Sequence, residues 1–400
     1  MHIELSVIIV SYNVKRHLCQ CLHSLQVALR QWEDNSYEVI VVDNASTDES
    51  QAYVCEKFPQ VYWLQNTTNK GFGVANNQAV AQAQGKFLLF LNPDTIVTPE
   101  VLREARAKMH SESHVGAIGT RMLNAEGVFL GESKRGFPTP LASFAKLTGA
   151  YRLFPHSRAL NRYYMSWLSP NETHKVEILA GAFMYVRRTE KLDEEKYFDE
   201  RFFMYGEDID LSARIAHTHE CWYLPTPILH YKGESAESNK PQSRRAFFEA
   251  MKLFQHKYRM TGGWLLSLAI NATTLLDRLR GGQRHAPQEK PTNAILCVFS
   301  ERPESMALPQ STKNGLRIDF FMPIPLEEDN LRSRILPYLQ RKKKTTIHVV
   351  FALDAYTYSS VLQYLCSQEW ADLQHAAREH DNKLAVAFAT EQDTLLHSFR

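Results

Sequence analysis

The chain has 400 residues, of which 44% are hydrophobic and 22% are charged, as expected for a globular protein of about two or three domains. Its net charge of +2 gives no electrostatic reason to expect nucleic acid as a partner. None of its cysteines forms a Cys-x-x-Cys pair, which predicts free thiols in the reducing cytoplasm. The N-terminus has no basic region ahead of its short apolar run, so we expect a strand there, not a signal peptide. No apolar stretch is long enough to span a bilayer.

The first 92 residues alternate between two hydrophobic patterns. Short β-branched or apolar runs predict buried strands, and leucines at helical spacing between them predict helices. The strands are expected at residues 5–10, 37–42, 61–65 and 87–91. The helices are expected at 14–30, in the segment that follows Asp48 and ends at Phe58, and at 74–83. This repeated βαβ order predicts an α/β fold with a mostly parallel sheet. Ligands of such sheets bind beyond the carboxyl ends of the strands.

Polar residues follow the first three predicted strands. Ser11-Tyr12-Asn13 follows the first strand and Asp43 the second. Asp43 either caps the next helix or hydrogen-bonds a base or ribose. Asn69-Lys70-Gly71 is either an ordinary glycine loop or a loop that approaches a diphosphate closely. It is neither a Walker loop nor a G-x-G-x-x-G fingerprint.

The fourth strand reads FLLFLNPD and ends at the carboxylate of Asp94. Asn-Pro-Asp is by itself a common turn. At the carboxyl end of a strand, however, a carboxylate is well placed to hold a divalent metal against a nucleotide diphosphate.

Three later segments also carry candidate groups. A strand is expected over 178–186, interrupted by Gly181-Ala182, where a ligand could approach the backbone closely. A helix is expected to begin near Glu207-Asp208, whose acids either complement the helix dipole or perform chemistry. A strand over 222–229, at an edge or irregular because of two prolines, leads to His230. This histidine is either structural or a further metal contact.

Taken together, the motifs resemble those of family 2 glycosyltransferases. They are, in chain order, SVIIVSYN, VVDNASTD, NKGFGVANN, LLFLNPD, AGAFMYVRR, YGEDIDL and HYKGES. The similarity extends over roughly residues 3–255 and is greatest to bacterial rhamnosyltransferase-like enzymes of surface-polysaccharide assembly. It implies a GT-A fold and an inverting, metal-dependent transfer.

The same resemblance implies roles for individual residues. Asp94 would be the main carboxylate ligand of Mg²⁺ or Mn²⁺, because Asn92 replaces the first acid of the family's Asp-x-Asp motif, and His230 would complete the site. Asp208 would be the general base, with Glu207 as the alternative. Gly181 and Ala182 would contact the acceptor. The donor contacts would be Ser11, Tyr12, Asn13, Asp43, Asn69, Lys70, Gly71 and Asn92.

The implied partners are a dTDP- or UDP-sugar and a saccharide or lipid-linked acceptor. Two alternatives remain. A nucleotidyltransferase should carry a Gly-rich, Arg-containing loop after its first strand, and SYNVKR is not one. A degenerate transferase could act as a binding or assembly subunit, although the retention of Asp94, Asp208 and His230 argues against it.

The expected domains are a catalytic domain at 1–240, a helical segment at 241–280, a linker at 281–291 and a small α/β domain of unassigned role at 292–400. The helical segment combines basic residues with an apolar stripe around Trp264. It is predicted either to lie on the inner face of the cytoplasmic membrane or to pack on a core. In the last domain, strands are expected at 294–299, 347–353 and 384–389, and helices at 328–341 and 357–379.

Overall fold

The structure is a computed structural model. It describes residues 3–33, 36–154, 157–232, 240–259, 294–302, 317–326, 330–341, 345–389 and 394–395. These residues form two β-sheets, each accompanied by helices. None of the helices in these ranges has the length and hydrophobicity needed to cross a membrane.

The first sheet and its helices come from residues 5–230. The strands are β1 (Leu5–Ser11), β2 (Tyr37–Asp43), β3 (Tyr62–Gln65), β4 (Phe87–Leu91), β5 (Thr95–Ile96), β6 (Val115–Leu123), β7 (His174–Val176), β8 (Phe183–Arg187) and β9 (Glu220–His230). The helices are α1 (Lys15–Leu29), α2 (Ser50–Lys57), α3 (Phe72–Val80), α4 (Pro99–Ser111), α5 (Pro140–Thr148), α6 (Glu190–Glu195) and α7 (Glu207–Ile215), with 3₁₀ turns at Gly131–Ser133 and Ala150–Arg152.

The strand order of this sheet is β3-β2-β1-β4-β8-β6-β9-β5, with β7 also beside β9. β3, β2, β1 and β4 run parallel, and so do β6 and β9. β8 lies antiparallel between β4 and β6. This mixed sheet with a parallel half confirms the predicted α/β fold. It brings the carboxyl ends of β1, β2 and β4 to one edge.

The central strands are buried on both faces, which explains their unbroken apolar sequences. Ile9 of β1 and Leu91 of β4 face one core with Leu18 and Leu22 of α1. Ile8 and Phe90 face the opposite core. Each such side chain contributes about 1.5–3 kcal/mol when it leaves water. The rigid strands therefore fix the positions of the loops at their ends.

One strand prediction is wrong in detail, and another is confirmed in the second of its two alternatives. The strand expected over 178–186 begins only at Phe183, because the backbone before it lies against α7. A Cβ added at Gly181 would lie 3.3 Å from the Cβ of Asp208. β9 is not an edge strand, since it pairs on both sides. Its proline-containing stretch is irregular, as predicted, with a register shift opposite Thr120 and Arg121.

The second sheet belongs to the C-terminal region. After α8 (Lys240–Lys257) come the strands β10 (Ala294–Phe299), β11 (Arg317–Phe321), β12 (Thr346–Ala352), β13 (Lys383–Ala389) and β14 (Thr394–Leu395), and the helices α9 (Asn330–Arg341), α10 (Tyr358–Tyr364) and α11 (Gln368–Glu379). The order is β11-β10-β12-β13-β14, parallel except for β14. The three predicted strands are present, and the helix expected over 357–379 is two helices. The proposed linker at 281–291, with residues 260–280, lies outside the described residues.

The two sheets share one apolar core. Ile96 of β5 and Leu229 of β9 pack in the same cluster as residues of β10, β12 and α11. Hydrogen bonds also cross the boundary: the Trp370 indole donates to the carbonyl of Glu126 at 3.0 Å, and the Val386 amide donates to that of Ala125 at 2.7 Å. The C-terminal unit therefore lies directly against the β5–β9 pair that flanks Asp94 and His230.

This contact can be tested with a pair of glycine substitutions. Gly127 and Gly149 have nearly equal φ angles, +74° and +78°. A Cβ at Gly127 would lie 2.4 Å from the Trp370 Nε1, whereas Gly149 has no atom within 4 Å. Gly127→Ala should therefore cost about 1–3 kcal/mol more in unfolding free energy than Gly149→Ala. Chemical denaturation of both variants measures the difference, and equal losses would contradict the docking of Trp370.

Candidate functional site

A cavity of about 510 Å³ opens at the carboxyl ends of β1 and β4. Most of the residues predicted from the sequence line it, although they come from distant parts of the chain. They are Ser11, Tyr12, Asn69, Gly71, Asn92, Asp94, Gly181, Ala182, Glu207, Asp208 and His230. The fold thus brings the proposed donor, metal, acceptor and base residues to one space.

The loop at Asn69–Gly71 is held in a conformation that needs glycine. Gly71 has a φ of +86°, and a Cβ there would lie 2.7 Å from Phe203. The Asn69 side chain accepts a hydrogen bond from the Gly71 amide at 3.0 Å, and the Asn44 side chain donates to the Gly71 carbonyl at 3.1 Å. The loops after β2 and β3 are therefore fixed to each other beside the cavity.

Three predicted donor residues are not among the described residues that line the cavity: Asn13, Asp43 and Lys70. Asn13 joins two loops, since its side chain accepts from the Thr47 amide at 2.8 Å. Asp43 is buried and accepts from the Ser46 amide at 2.7 Å and from the Gln65 side chain at 2.8 Å. Lys70 is exposed. Their contacts with a donor remain predictions.

Asp94 and His230 face each other across the β5–β9 pair. Thr95 is paired with His230, and the Tyr231 amide donates to the Asp94 carbonyl at 2.9 Å. The Nε2 of His230 lies 3.3 Å from the Oδ1 of Asp94. Burial alone would raise the pKa of Asp94, but the charge and hydrogen bond of His230 outweigh it and hold that pKa below its ordinary value.

This pair fits a hard divalent cation that shares its ligands with a substrate. In the part of the chain that the structure describes, no group of three or more His, Cys, Asp or Glu residues forms a complete metal cage. Mg²⁺ is commonly held by one or two carboxylates together with substrate phosphates. One carboxylate and one imidazole, both lining the cavity, suit that arrangement.

The second acidic centre lies at the start of α7. The Oδ2 of Asp208 accepts from the Arg135 guanidinium at 2.6 Å and from the Gly181 amide at 3.1 Å, and its Oδ1 accepts from the Ile209 amide at 2.8 Å. Burial would lower the pKa of Arg135, but the Asp208 carboxylate raises it well above its ordinary value. The pair is therefore a buried salt bridge at the cavity wall.

Glu207 has a different environment from Asp208. It is buried, and burial together with the negative charge of Asp208 raises the pKa of Glu207 to about 8. A raised pKa favours the protonated form of the carboxyl, and a protonated carboxyl cannot accept a proton. This environment makes Glu207 the weaker candidate for a base.

The cavity is also lined by charged and aromatic residues to which the sequence did not point, among them Glu132, Arg135, Lys146 and Tyr163. These four lie between residues 131 and 171, where no helix or strand was expected, so no pattern assigned them a place. Lys232 lines the cavity as well, and it lies in the HYKGES motif, which gave it no role. Lys146 lies over the Tyr163 ring, with its Nζ 3.6 Å from the ring centroid. Lys232 pairs with Glu132 at 2.7 Å. One signal was available, namely that residues 133–171 contain no acidic residue.

Comparison with known families agrees with this geometry. Residues 6–185 match the family model described as Glycosyl transferase family 2. The matched part of the chain belongs to this family. The matched residues include Asp43, the Asn69–Gly71 loop and Asp94, so the resemblance inferred from the motifs is confirmed.

Two relatives are rhamnosyltransferases. One is the N-acetylglucosaminyl-diphospho-decaprenol L-rhamnosyltransferase of Mycobacterium tuberculosis, 27% identical over 279 residues that cover 65% of this chain and 86% of the relative. Another is the rhamnosyltransferase WbbL of Escherichia coli K12, 28% identical over 281 residues that cover 68% of this chain and 97% of the relative. The S. aureus TarS 1-349 structure in complex with UDP aligns with a TM-score of 0.38 at 24% identity, over 55% of this chain and 60% of that one. This chain thus spans less than two thirds of that structure.

The environment of Glu207 predicts a pH effect on stability. Because folding raises the pKa of Glu207 from 4.5 to about 8, the folded chain keeps a proton that the unfolded chain releases. The contribution of this carboxyl to the free energy of unfolding is fully present below pH 4.5, and it is lost as the pH rises toward about 8. The glutamine of Glu207→Gln cannot ionise. The melting temperature of this variant should therefore rise relative to that of the wild type as the pH increases from 4.5 to about 8. Thermal unfolding with exposed Glu190→Gln as the control tests this, and parallel curves for wild type and Glu207→Gln would contradict it.

Proposed function

We propose that the chain is an inverting glycosyltransferase that moves a sugar from a nucleoside diphosphate to an acceptor hydroxyl. The observation that carries the proposal is the convergence of two centres in one cavity. Asp94 and His230 lie together in the cavity wall, where they could hold a metal ion against a diphosphate. Asp208 lies in the same wall and is hydrogen-bonded to Gly181. Membership in glycosyltransferase family 2 supports the same reaction class.

Asp208 acts as the general base in this proposal. An acceptor hydroxyl is too weak an acid to ionise freely, so its proton passes to the Asp208 carboxylate as the oxygen bonds to the anomeric carbon. The bond from that carbon to the diphosphate breaks on the opposite face, and its electron pair stays on the phosphate oxygen. A single displacement of this kind inverts the anomeric configuration. Arg135 and the Gly181 amide hold the carboxylate in place.

Asp94 and His230 would hold Mg²⁺ or Mn²⁺. As a Lewis acid, the ion would neutralise the charge of the leaving diphosphate. Asn92 adds an amide, its Nδ2 lying 3.4 Å from the His230 Nε2. The Asn69–Gly71 loop, whose conformation requires glycine, gives the diphosphate a close approach to backbone. Ser11 and Tyr12 form the neighbouring wall.

The donor proposed is a dTDP- or UDP-sugar, with rhamnose the leading sugar because two similar proteins are rhamnosyltransferases. The acceptor proposed is a saccharide or a lipid-linked saccharide of bacterial surface-polysaccharide synthesis, with the enzyme in the cytoplasm and peripheral on the membrane. A degenerate assembly subunit is the second candidate function, but it gives no reason for a buried Arg135–Asp208 pair to line a cavity.

The division into domains also remains a proposal. Residues 1–240 would form the catalytic domain and 292–400 a small α/β domain that packs against it. The helical segment proposed for 241–280 includes α8, and the rest of it, with the linker at 281–291, falls outside the described residues.

The base is tested by Asp208→Asn, which keeps the shape of the side chain but cannot take the proton. Turnover with a panel of sugar nucleotides should fall about 10²–10⁴-fold, while the dissociation constant for the nucleotide changes little. Glu207→Gln is the matched control, because it neutralises the adjacent carboxyl. If Glu207→Gln loses turnover and Asp208→Asn does not, the base is Glu207.

The metal site is tested by binding of UDP or dTDP, without turnover. Calorimetry of the wild type should give tighter nucleotide binding with Mn²⁺ than with EDTA. Asp94→Asn should lose that difference because it removes the charged ligand. Asp193→Asn, which changes a surface partner of Arg188, serves as the control. Wild-type binding that is the same with Mn²⁺ and EDTA would refute the metal role of Asp94.

A further inference from the structure

An exposed apolar surface lies on the segment between Pro140 and Leu168. Nine large hydrophobic side chains are exposed in the described part of the chain, and five of them belong to this segment. We call them the 141–167 surface: Leu141 (50% exposed), Phe144 (38%), Leu153 (77%), Phe154 (56%) and Trp167 (37%). Such a concentration of exposed apolar residues on one segment indicates an interaction site.

The described residues of this segment form a defined local structure. The Thr139 side chain caps α5 and Gly149 ends it. Ala142 and Ala145 are fully buried, whereas Leu141 and Phe144, one helical turn apart, point to solvent. The Tyr151 and Tyr164 rings pack with centroids 5.3 Å apart. They connect the turn that follows α5 with the residues that precede Trp167.

The charge of the segment has one sign. Residues 133–171 contain six lysines and arginines and no aspartate or glutamate. Arg135 pairs with Asp208 and Arg162 with Glu177. Arg152 and Arg158 are exposed, and no salt bridge to either occurs among the described residues. Arg158 lies beside Trp167, 5.8 Å from its ring centroid.

The same segment forms part of the cavity wall. Lys146 of α5 and Tyr163 line the cavity that contains Asp208. α5 therefore presents one side chain to the reaction site and two apolar ones to solvent. A partner bound on the 141–167 surface would lie next to the acceptor side of the cavity.

We propose that the 141–167 surface docks on an anionic phospholipid membrane. Leu153, Phe154 and Trp167 enter the headgroup region, and Arg152 and Arg158 contact lipid phosphates. Aromatic and aliphatic side chains combined with unopposed cations are the chemistry that an anionic membrane interface binds. The docking itself needs no turnover. Its purpose, delivery of a lipid-borne acceptor to the cavity, rests on the proposed function.

The test is co-sedimentation of the full-length chain with vesicles of phosphatidylglycerol and phosphatidylcholine, and with vesicles of phosphatidylcholine alone. The wild type should bind the anionic vesicles, and added salt should weaken the binding. Leu153→Ser with Phe154→Ser, and separately Arg152→Glu with Arg158→Glu, should each reduce partition on the order of 10-fold.

Matched control pairs lie elsewhere on the surface. Phe320→Ser with Met322→Ser removes one aromatic and one aliphatic side chain that are 49% and 72% exposed in the C-terminal unit. Lys57→Glu with Lys191→Glu reverses two exposed charges. Both controls should retain binding to anionic vesicles. UDP binding in the absence of vesicles should be the same in all four double variants, which separates a failure of docking from a failure of the proposed function.

Three results would overturn the proposal. Equal binding of the wild type to neutral and anionic vesicles is one, and equal losses in the surface and control variants is another. The third is that the wild type binds no vesicles, while Leu153→Ser with Phe154→Ser changes its oligomeric state on size exclusion. That result would make the surface a contact between copies of this chain.

Discussion

The buried salt bridge between Arg135 and Asp208 constrains the reaction side of the molecule. Only 7% of the Arg135 side chain and 15% of the Asp208 side chain are exposed. Removing one partner of such a pair costs about 3–5 kcal/mol, because the other charge stays buried without compensation. The loop at 131–137, the backbone at Gly181 and the first turn of α7 must therefore stay together. The position of the proposed base follows from that requirement.

The positions of the proposed metal ligands depend on packing between the two sheets. The β5–β9 pair turns Asp94 and His230 toward the cavity, and Ile96 and Leu229 of the same pair lie in the core shared with the C-terminal sheet. A shift of that sheet would move the pair, because densely packed side chains transmit displacement. The described part of the C-terminal unit packs against the strands that hold the proposed ligands, so we expect it to help fix their position.

Much of the fold could be predicted because it depends on local sequence. β1, β2, β4 and α1 lie within a residue or two of their expected bounds, since buried strands and amphipathic helices have distinct hydrophobic periods. The expected strand over 178–186 was too long, because apolar residues that pack against α7 look the same as strand residues. The prolines of β9 suggested an edge or an irregular segment, and the structure has the irregular one, with a register shift inside the sheet.

The sequence alone indicated the family resemblance, the chain order of the motifs and the residue types of the proposed site, because these depend on short motifs at strand ends. It could not choose between Glu207 and Asp208. The tertiary structure showed that the two carboxyls differ, since Arg135, 73 residues away in the chain, reaches Asp208 and not Glu207. It also showed that the C-terminal sheet shares a core with the β5–β9 pair and that Lys146 and Tyr163, from the segment that carries the 141–167 surface, line the cavity. Contacts between distant segments and the burial of a charge exist only in the folded chain, so local pattern cannot specify them.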